Sequence, residues 1–233
     1  MESKRARLDR FISQRLQINR KHVRLMLAKN QVSVDGELAR DIDMIVDDFS
    51  HICVNGKSIQ ANQARYLMLH KPVGVVSATV DDKHKTVIDL LEQKDKASLH
   101  IVGRLDLNTS GLVLLTNDGR WSKRLMDPEH KVGKRYRVQL QNPLTVEYIA
   151  AFAQGMYFEF EDIMTLPAKL EIVDSHTALV TLYEGRYHQI KRMFGRFRNP
   201  VIGLHRLSVG EIVLDKALAV GDSRELTSAE IEC

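Results

Sequence analysis

The stretch of this 233-residue chain richest in possible chemistry is Gly103-Arg104-Leu105-Asp106-Leu107-Asn108-Thr109-Ser110-Gly111, set between the apolar runs LHIV (99–102) and GLVLLT (111–116). A charged, glycine-bounded loop between buried strands presents its polar side chains at a sheet edge, where a substrate can reach them. A polar turn with Asp106 solvated or capping an amide would look similar on four residues alone. A carboxylate so placed can serve as nucleophile, base or stabiliser of a developing cation. No second acid stands in that loop, only Arg104. From Arg186 to Arg206 there are six Arg/Lys and no Asp/Glu. His188, Lys191 and Arg192 stand at i, i+3 and i+4, so one helical face can carry all three, with Ile190, Met193 and Phe194 on another. Positive charge unbalanced along the sequence fits contacts to phosphates better than a merely solvated helix.

The elements that must hold these residues fall into two textures. Residues 1–30 carry nine Lys/Arg and two Asp/Glu, a local charge of +7, within a chain of net charge +4. Residues 7–16 place Leu8, Phe11, Ile12 and Leu16 at helical spacing. Asn19 caps a second helix over 20–30, which buries Val23, Leu25, Met26 and Leu27 and exposes Arg20, Lys21 and Arg24. QVSVDGE and HICVNGKSI read as strands with Asp35-Gly36 and Asn55-Gly56 turns. This makes a basic unit over 1–62 with no catalytic constellation, suited to holding a polyanion by its phosphates through Arg20, Lys21 and Arg24, though a solvated charged helix would look the same. From Arg65 on, YLMLH, LHIV, GLVLLT, RYRVQL (135–140) and ALVTLYEG (178–185) read as strands. Helices are expected over Lys85–Leu91, Asp118–Met126, Thr145–Gln154 and Tyr187–Phe194, with Asn117 and Thr145 as caps. Many strands with few interspersed helices predict an α+β domain over 65–233.

Composition narrows the class. Hydrophobic residues make up 44% of the chain, enough for a core. No apolar run approaches the roughly 18 residues of a membrane span, and Met1-Glu2-Ser3-Lys4-Arg5 leads into charged sequence rather than a signal peptide. Two cysteines, Cys53 and Cys233, and scattered histidines argue against zinc or disulfides, and so for a reducing, cytoplasmic setting. There is no GxGxxG loop, P-loop or metal-ligand spacing, so neither a cofactor nor a metal is expected.

The ordered motifs bear a family resemblance that covers essentially the whole chain. GRLDLNTSGLVLLTNDG resembles the signature of the RsuA/RluA pseudouridine synthase families. HKPVG (70–74) is similar to their first motif, Lys134-Arg135-Tyr136-Arg137-Val138 to their tyrosine strand, EGRYHQIKRMF (184–194) to their third motif, and LHRLSVG (204–210) to its trailing strand. The N-terminal helices and VDG strand resemble an S4 RNA-binding domain. The resemblance implies a small S4-like domain followed by a mixed, mainly antiparallel sheet with flanking helices. It implies Asp106 as the catalytic aspartate, Tyr136 as the ring stacked on the target base, and Lys191 as the cation beside Asp106. Arg104 and Leu204 would handle the nucleotide, with His188 and Arg192 as further substrate contacts. His70 replaces the usual asparagine and receives no catalytic role.

Pseudouridine formation breaks the N1–C1′ bond, turns the base and rejoins it through C5, so it consumes no cofactor. The carboxylate can attack C1′ or remove a C2′ proton, and an adjacent cation favours its ionised form. An aromatic ring suits uracil in either orientation, and the target base must leave its stack to reach the loop. His188-Gln189 in the third motif resembles the RsuA branch. That branch acts on one uridine of 16S ribosomal RNA, by resemblance position 516 in bacterial numbering, as RNA or as a small-subunit assembly intermediate. A monomer is expected, with no membrane contact. Three other readings stand beside this one: a large-subunit (23S) enzyme of the same family, a non-catalytic RNA-binding or ribosome-assembly factor, and a glycoside hydrolase. The last would need a second carboxylate.

Overall fold

Apolar residues at helical spacing and two glycine turns build the first of two compact units, residues 1–64 with 118–120. The computed structural model describes residues 5–91 and 96–232. Met1–Lys4 and Cys233, which entered the reading of the termini and cysteines, lie outside them. In this unit β1 (Ala6–Arg7) leads into α1 (Leu8–Leu16) and α2 (Arg20–Ala28), followed by β2 (Val32–Val34), β3 (Glu37–Leu38), β4 (Ile45–Val46), β5 (Ile52–Val54) and β6 (Lys57–Gln60). The Asn19 side chain accepts from the Lys21 amide at 2.7 Å, as a cap should. Asp35-Gly36 and Asn55-Gly56 both take positive φ, the conformation a tight two-residue hairpin demands. Leu8, Ile12, Val23 and Leu27 pack against Val32, Val34 and Ile52. Leu25 does not join them: it is 53% exposed, because the face set by Val23 and Leu27 turns it outward.

The second unit, 65–117 with 121–233, holds the longer strands. Its elements are β7 (Tyr66–Lys71), β8 (His100–Val102), β9 (Ser110–Thr116), α3 (Gly119–Met126), β10 (Lys134–Leu140), α4 (Glu147–Gln154), β11 (Tyr157–Phe158), β12 (Ile163–Met164), β13 (Lys169–Asp174), β14 (Thr177–Leu182), α5 (Gln189–Gly195), β15 (Val201–Val209), β16 (Ile212–Val213), β17 (Ser223–Glu225) and α6 (Ser228–Glu232). The main sheet runs β13-β14-β10-β15-β9-β7-β17, with β16 beside β15 and β8 beside β9. Its pairings are antiparallel except β15 with β9, which meet only at His205↔Ser110 and Arg206↔Gly111. Gly111 is required there: a Cβ would lie 2.3 Å from the Arg206 carbonyl oxygen, and its φ is +108°. One half-sheet packs Val138, Val180 and Leu182 against Phe152 of α4 and Ile190 and Phe194 of α5. The other buries Leu67, Leu69, Val113 and Leu115.

Four further local expectations are corrected. Thr145 does not cap α4: the capping position falls on Val146, with no side-chain hydrogen bond. Lys85–Leu91 forms no helix. Val76 donates to the Lys85 carbonyl and accepts from Val87, while Thr86 and Asp89 bond each other, so the segment bridges and turns instead. Asn117 does not cap α3: its Oδ1 accepts from the Arg65 amide, and Asp118 accepts from the Arg120 amide in its place. The helix expected over Tyr187–Phe194, α5, begins at Gln189, because His188 adopts a left-handed backbone, φ 50°.

Candidate active site

The loop from Gly103 to Leu112 is held by two buried cations. The Lys71 ammonium is fully buried at the end of β7. It donates to the carbonyls of Pro72 at 2.9 Å, Asp106 at 3.1 Å and Thr109 at 2.6 Å, with Leu107 at 3.5 Å. Arg206, 2% exposed, donates from Nε to the Leu112 carbonyl and from Nη2 to the Gly103 carbonyl, each at 2.7 Å, and so ties both ends of the loop together. The remaining backbone groups are met locally. Gly74 N–H donates to the Leu107 carbonyl, Thr109 N–H to that of Asp106, and Leu105 N–H to the Ser77 hydroxyl. A buried loop survives only when its polar backbone is satisfied in this way. HKPVG thus has a physical role of its own, which sequence reasoning left unassigned; Arg206 was missed as well. A cation inside an otherwise apolar strand was the available signal in both cases.

Fixed in this way, Asp106 projects its carboxylate into a pocket of about 110 Å³ lined also by Arg104, Tyr136, His188, Lys191 and Leu204. Lys191 Nζ stands 3.5 Å and His188 Nε2 3.3 Å from the same oxygen, Oδ2. The carboxylate is about one-third exposed, so substrate can reach it. Tyr136 comes from β10 and Leu204 from β15, adjacent strands of the half-sheet. Lys191 is carried by α5, and the left-handed backbone of His188 turns its ring back toward Asp106. Glu184 sets the turn before α5, accepting from Gln189 at 2.7 Å and Arg186 at 2.8 Å.

Arg192 is not brought to this pocket. Its guanidinium forks onto Glu161, with Nη1 at 2.6 Å, and lies 3.7 Å from the Phe158 ring centroid. Arg186 pairs with Glu184 and Arg196 with Glu159. Much of the basic run from Arg186 is therefore paired with acids outside it, which removes most of the argument from missing neighbouring acids. In the N-terminal unit Arg20 is likewise engaged, pairing at 2.6 Å with the fully buried Asp9. Burial alone would raise the Asp9 carboxyl, but hydrogen bonds and charge from Arg20 and Arg7 outweigh it and hold it below its usual range. Lys21 and Arg24 are exposed.

The family model for RNA pseudouridylate synthase matches residues 65–195, more than half of the chain. The chain belongs to the RNA pseudouridylate synthase family. Among its relatives, the ribosomal small subunit pseudouridine synthase A of Pseudomonas aeruginosa is 47% identical over 226 residues, covering 97% of this chain and 98% of the relative. That of Vibrio cholerae is 40% identical over 225 residues and covers 97% of each. A solved pseudouridylate synthase matches with a TM-score of 0.71 at 38% identity, over 97% of this chain and 98% of the other. The pseudouridine synthase fold, a mixed and mainly antiparallel sheet with a few helices, is therefore the fold of this chain.

Lys71 generates a pH prediction. Burial pushes its ammonium down to about 8, opposed by the Asp106 carboxylate and reinforced by Arg206. A neutral amine has one fewer N–H for the loop carbonyls, so single-turnover rate should fall as pH rises through about 8. The folded value lies below the ordinary Lys value near 10.4, so between the two the unfolded chain holds the extra proton. The contribution of this group to stability then rises with pH across that window. Rate and melting temperature measured from about pH 7 to pH 9.5 should diverge, activity falling with no Lys71-linked loss of stability. A rate flat through pH 9 would contradict the assignment.

Proposed function

We propose that this enzyme isomerises one uridine of 16S ribosomal RNA to pseudouridine, with Asp106 as its catalytic residue. The observation that carries the assignment of Asp106 is the geometry at its carboxylate. The contacts from Lys191 and His188 both fall on Oδ2, leaving Oδ1 without a protein partner among the described residues, and the residue lines the same pocket as Tyr136 and Leu204. Lys191 and His188 hold the carboxylate in orientation. Oδ1 can then approach C1′, or the C2′ proton, of a uridine taken out of its stack. Tyr136 offers a ring face on which uracil can turn between N1 and C5 attachment. Arg104 at the pocket mouth supplies a cation for the flanking phosphate. Asp106 is the one acid among the described pocket-lining residues, so the two-carboxylate arrangement of glycoside hydrolysis is not assembled here. The named relatives are small-subunit enzymes, which favours 16S over 23S RNA and catalysis over a purely binding role.

The N-terminal unit fits an S4-like RNA-binding domain over about residues 1–62: two helices over a four-stranded antiparallel sheet, with basic residues on exposed positions. We assign the phosphate contacts to Lys21 and Arg24, with Arg20 serving chiefly to neutralise Asp9. The substrate would be the RNA or a small-subunit assembly intermediate, met by a monomer in the cytoplasm. Among the described residues no helix is long and apolar enough to cross a membrane.

Incubation with 16S RNA, followed by carbodiimide primer-extension mapping, tests the activity and identifies the uridine. Asp106→Asn should bind RNA as wild type and melt at a similar temperature, yet lose at least about 99% of the single-turnover rate. More than about a tenth of the wild-type rate would displace Asp106 from its role. Replacing Lys21 and Arg24 together with Ala should weaken RNA binding and flatten the logarithmic salt dependence by about one to two units. Filter binding over a salt series reads this directly, and an unchanged slope would remove these residues from the RNA contact.

A further inference from the structure

The half-sheet that carries Tyr136 has a second, unassigned surface. Side chains alternate along β10, so Tyr136 and Val138 face the core with α4 and α5 while Arg137 and Gln139 face the other way. The register sets His205 opposite Arg137, and Ser110 opposite His205. These residues line a groove of about 910 Å³ together with Asn108 of the catalytic loop and the exposed aliphatic side chains of Val73 and Ile202. Lys191 and Leu204 line both this groove and the catalytic pocket, so the two meet where β15 leaves β9 after a two-residue parallel contact.

The chemistry of the groove is that of a nucleotide strand. Arg137 is exposed and forms no ion pair among the described residues, influencing Asp174 only through space. Nearby Arg135 is by contrast paired with Glu171 at 3.2 Å. Ser110 Oγ and His205 Nδ1 are 2.9 Å apart. Burial, with His70 and Arg137 close by, holds His205 below its ordinary range, so it offers a neutral ring for hydrogen bonding. One free cation, amide and hydroxyl groups, and flanking aliphatic surface match a phosphate, a ribose and the face of a base.

We propose that this groove holds the RNA strand adjoining the target uridine, with Arg137 on a backbone phosphate and Val73 and Ile202 against the neighbouring nucleotide. The uridine then passes between β15 and the Asp106 loop to reach the carboxylate. The inference rests on the 16S reading above, and wild-type turnover on 16S RNA checks that reading separately within the same assay.

The experiment compares wild type, Arg137→Ala and Ile202→Glu on transcribed, protein-free 16S RNA. Both positions are exposed, and melting temperatures within about 2 °C of wild type establish folding. Arg137→Ala should raise the Kd about tenfold near 0.15 M salt and reduce the logarithmic salt slope by about one, while the single-turnover rate at saturating RNA falls less than about twofold. Ile202→Glu should raise the Kd by a similar factor through repulsion of phosphate. Unchanged affinity in both variants would overturn the proposal and leave the groove to a protein partner absent from the assay. A collapse of the saturated rate in Arg137→Ala with intact binding would overturn it too, placing Arg137 in the chemical step. If wild type makes no pseudouridine in 16S RNA, the functional reading fails first.

Discussion

The active site depends on two cations buried among backbone carbonyls. Removing an ammonium or a guanidinium from water is costly, and among the described residues neither Lys71 nor Arg206 forms an ion pair with a carboxylate. Each is stabilised by oxygens of the Asp106 loop, and the loop by them. Without these donors the carbonyls of Gly103, Asp106, Thr109 and Leu112 would be short of partners in the interior. The mutual dependence fixes where the Asp106 side chain emerges, which a flexible polar loop could not do. With Asp106 in the proposed catalytic role this rigidity would matter for rate, since a 1 Å misplacement of a reacting group can cost about a hundredfold.

The position of the cations follows from the sheet. Strands β15 and β9 touch over only two residue pairs, enabled by Gly111, and beyond that contact they part. Arg206 lies on that contact and reaches across it to both ends of the loop. The divergence opens the space that Asp106 enters from one side, and Lys191, Tyr136 and Leu204 from the other. The two half-sheets have distinct cores that meet at Tyr136, which packs against both. A carboxylate held through one oxygen at such a gap has its other oxygen available for substrate.

Much of this was legible in the sequence because it is local. Hairpin turns, the Asn19 cap and the alternation of β10 are set by neighbouring residues, and the GRLD loop announces itself between two apolar strands. What escaped is long-range. Lys71 meets its loop acceptors 35 to 38 residues away, and Arg206 reaches 94 and 103 residues back, so a cation in a largely apolar strand is a signal of burial that does not name the partners. The same blindness made the run after Arg186 look unbalanced, since Glu159 and Glu161 lie well upstream. It also made Arg20 look free, although Asp9 sits one helix earlier. The segment at Lys85 has helical apolar spacing, but its backbone is already engaged by Val76, and tertiary pairing overrode the pattern.

Hydrogen exchange at the loop amides tests the central claim most directly. Leu105 and Thr109 donate to Ser77 and to the Asp106 carbonyl, so their protection reports whether the loop holds its shape. In Lys71→Met and in Arg206→Met both amides should exchange at least about tenfold faster than in wild type, while Leu170 and Val180 in the far half-sheet stay unchanged. Wild-type protection at Leu105 and Thr109 in both variants would mean that the loop is rigid without its buried cations, and would contradict the account.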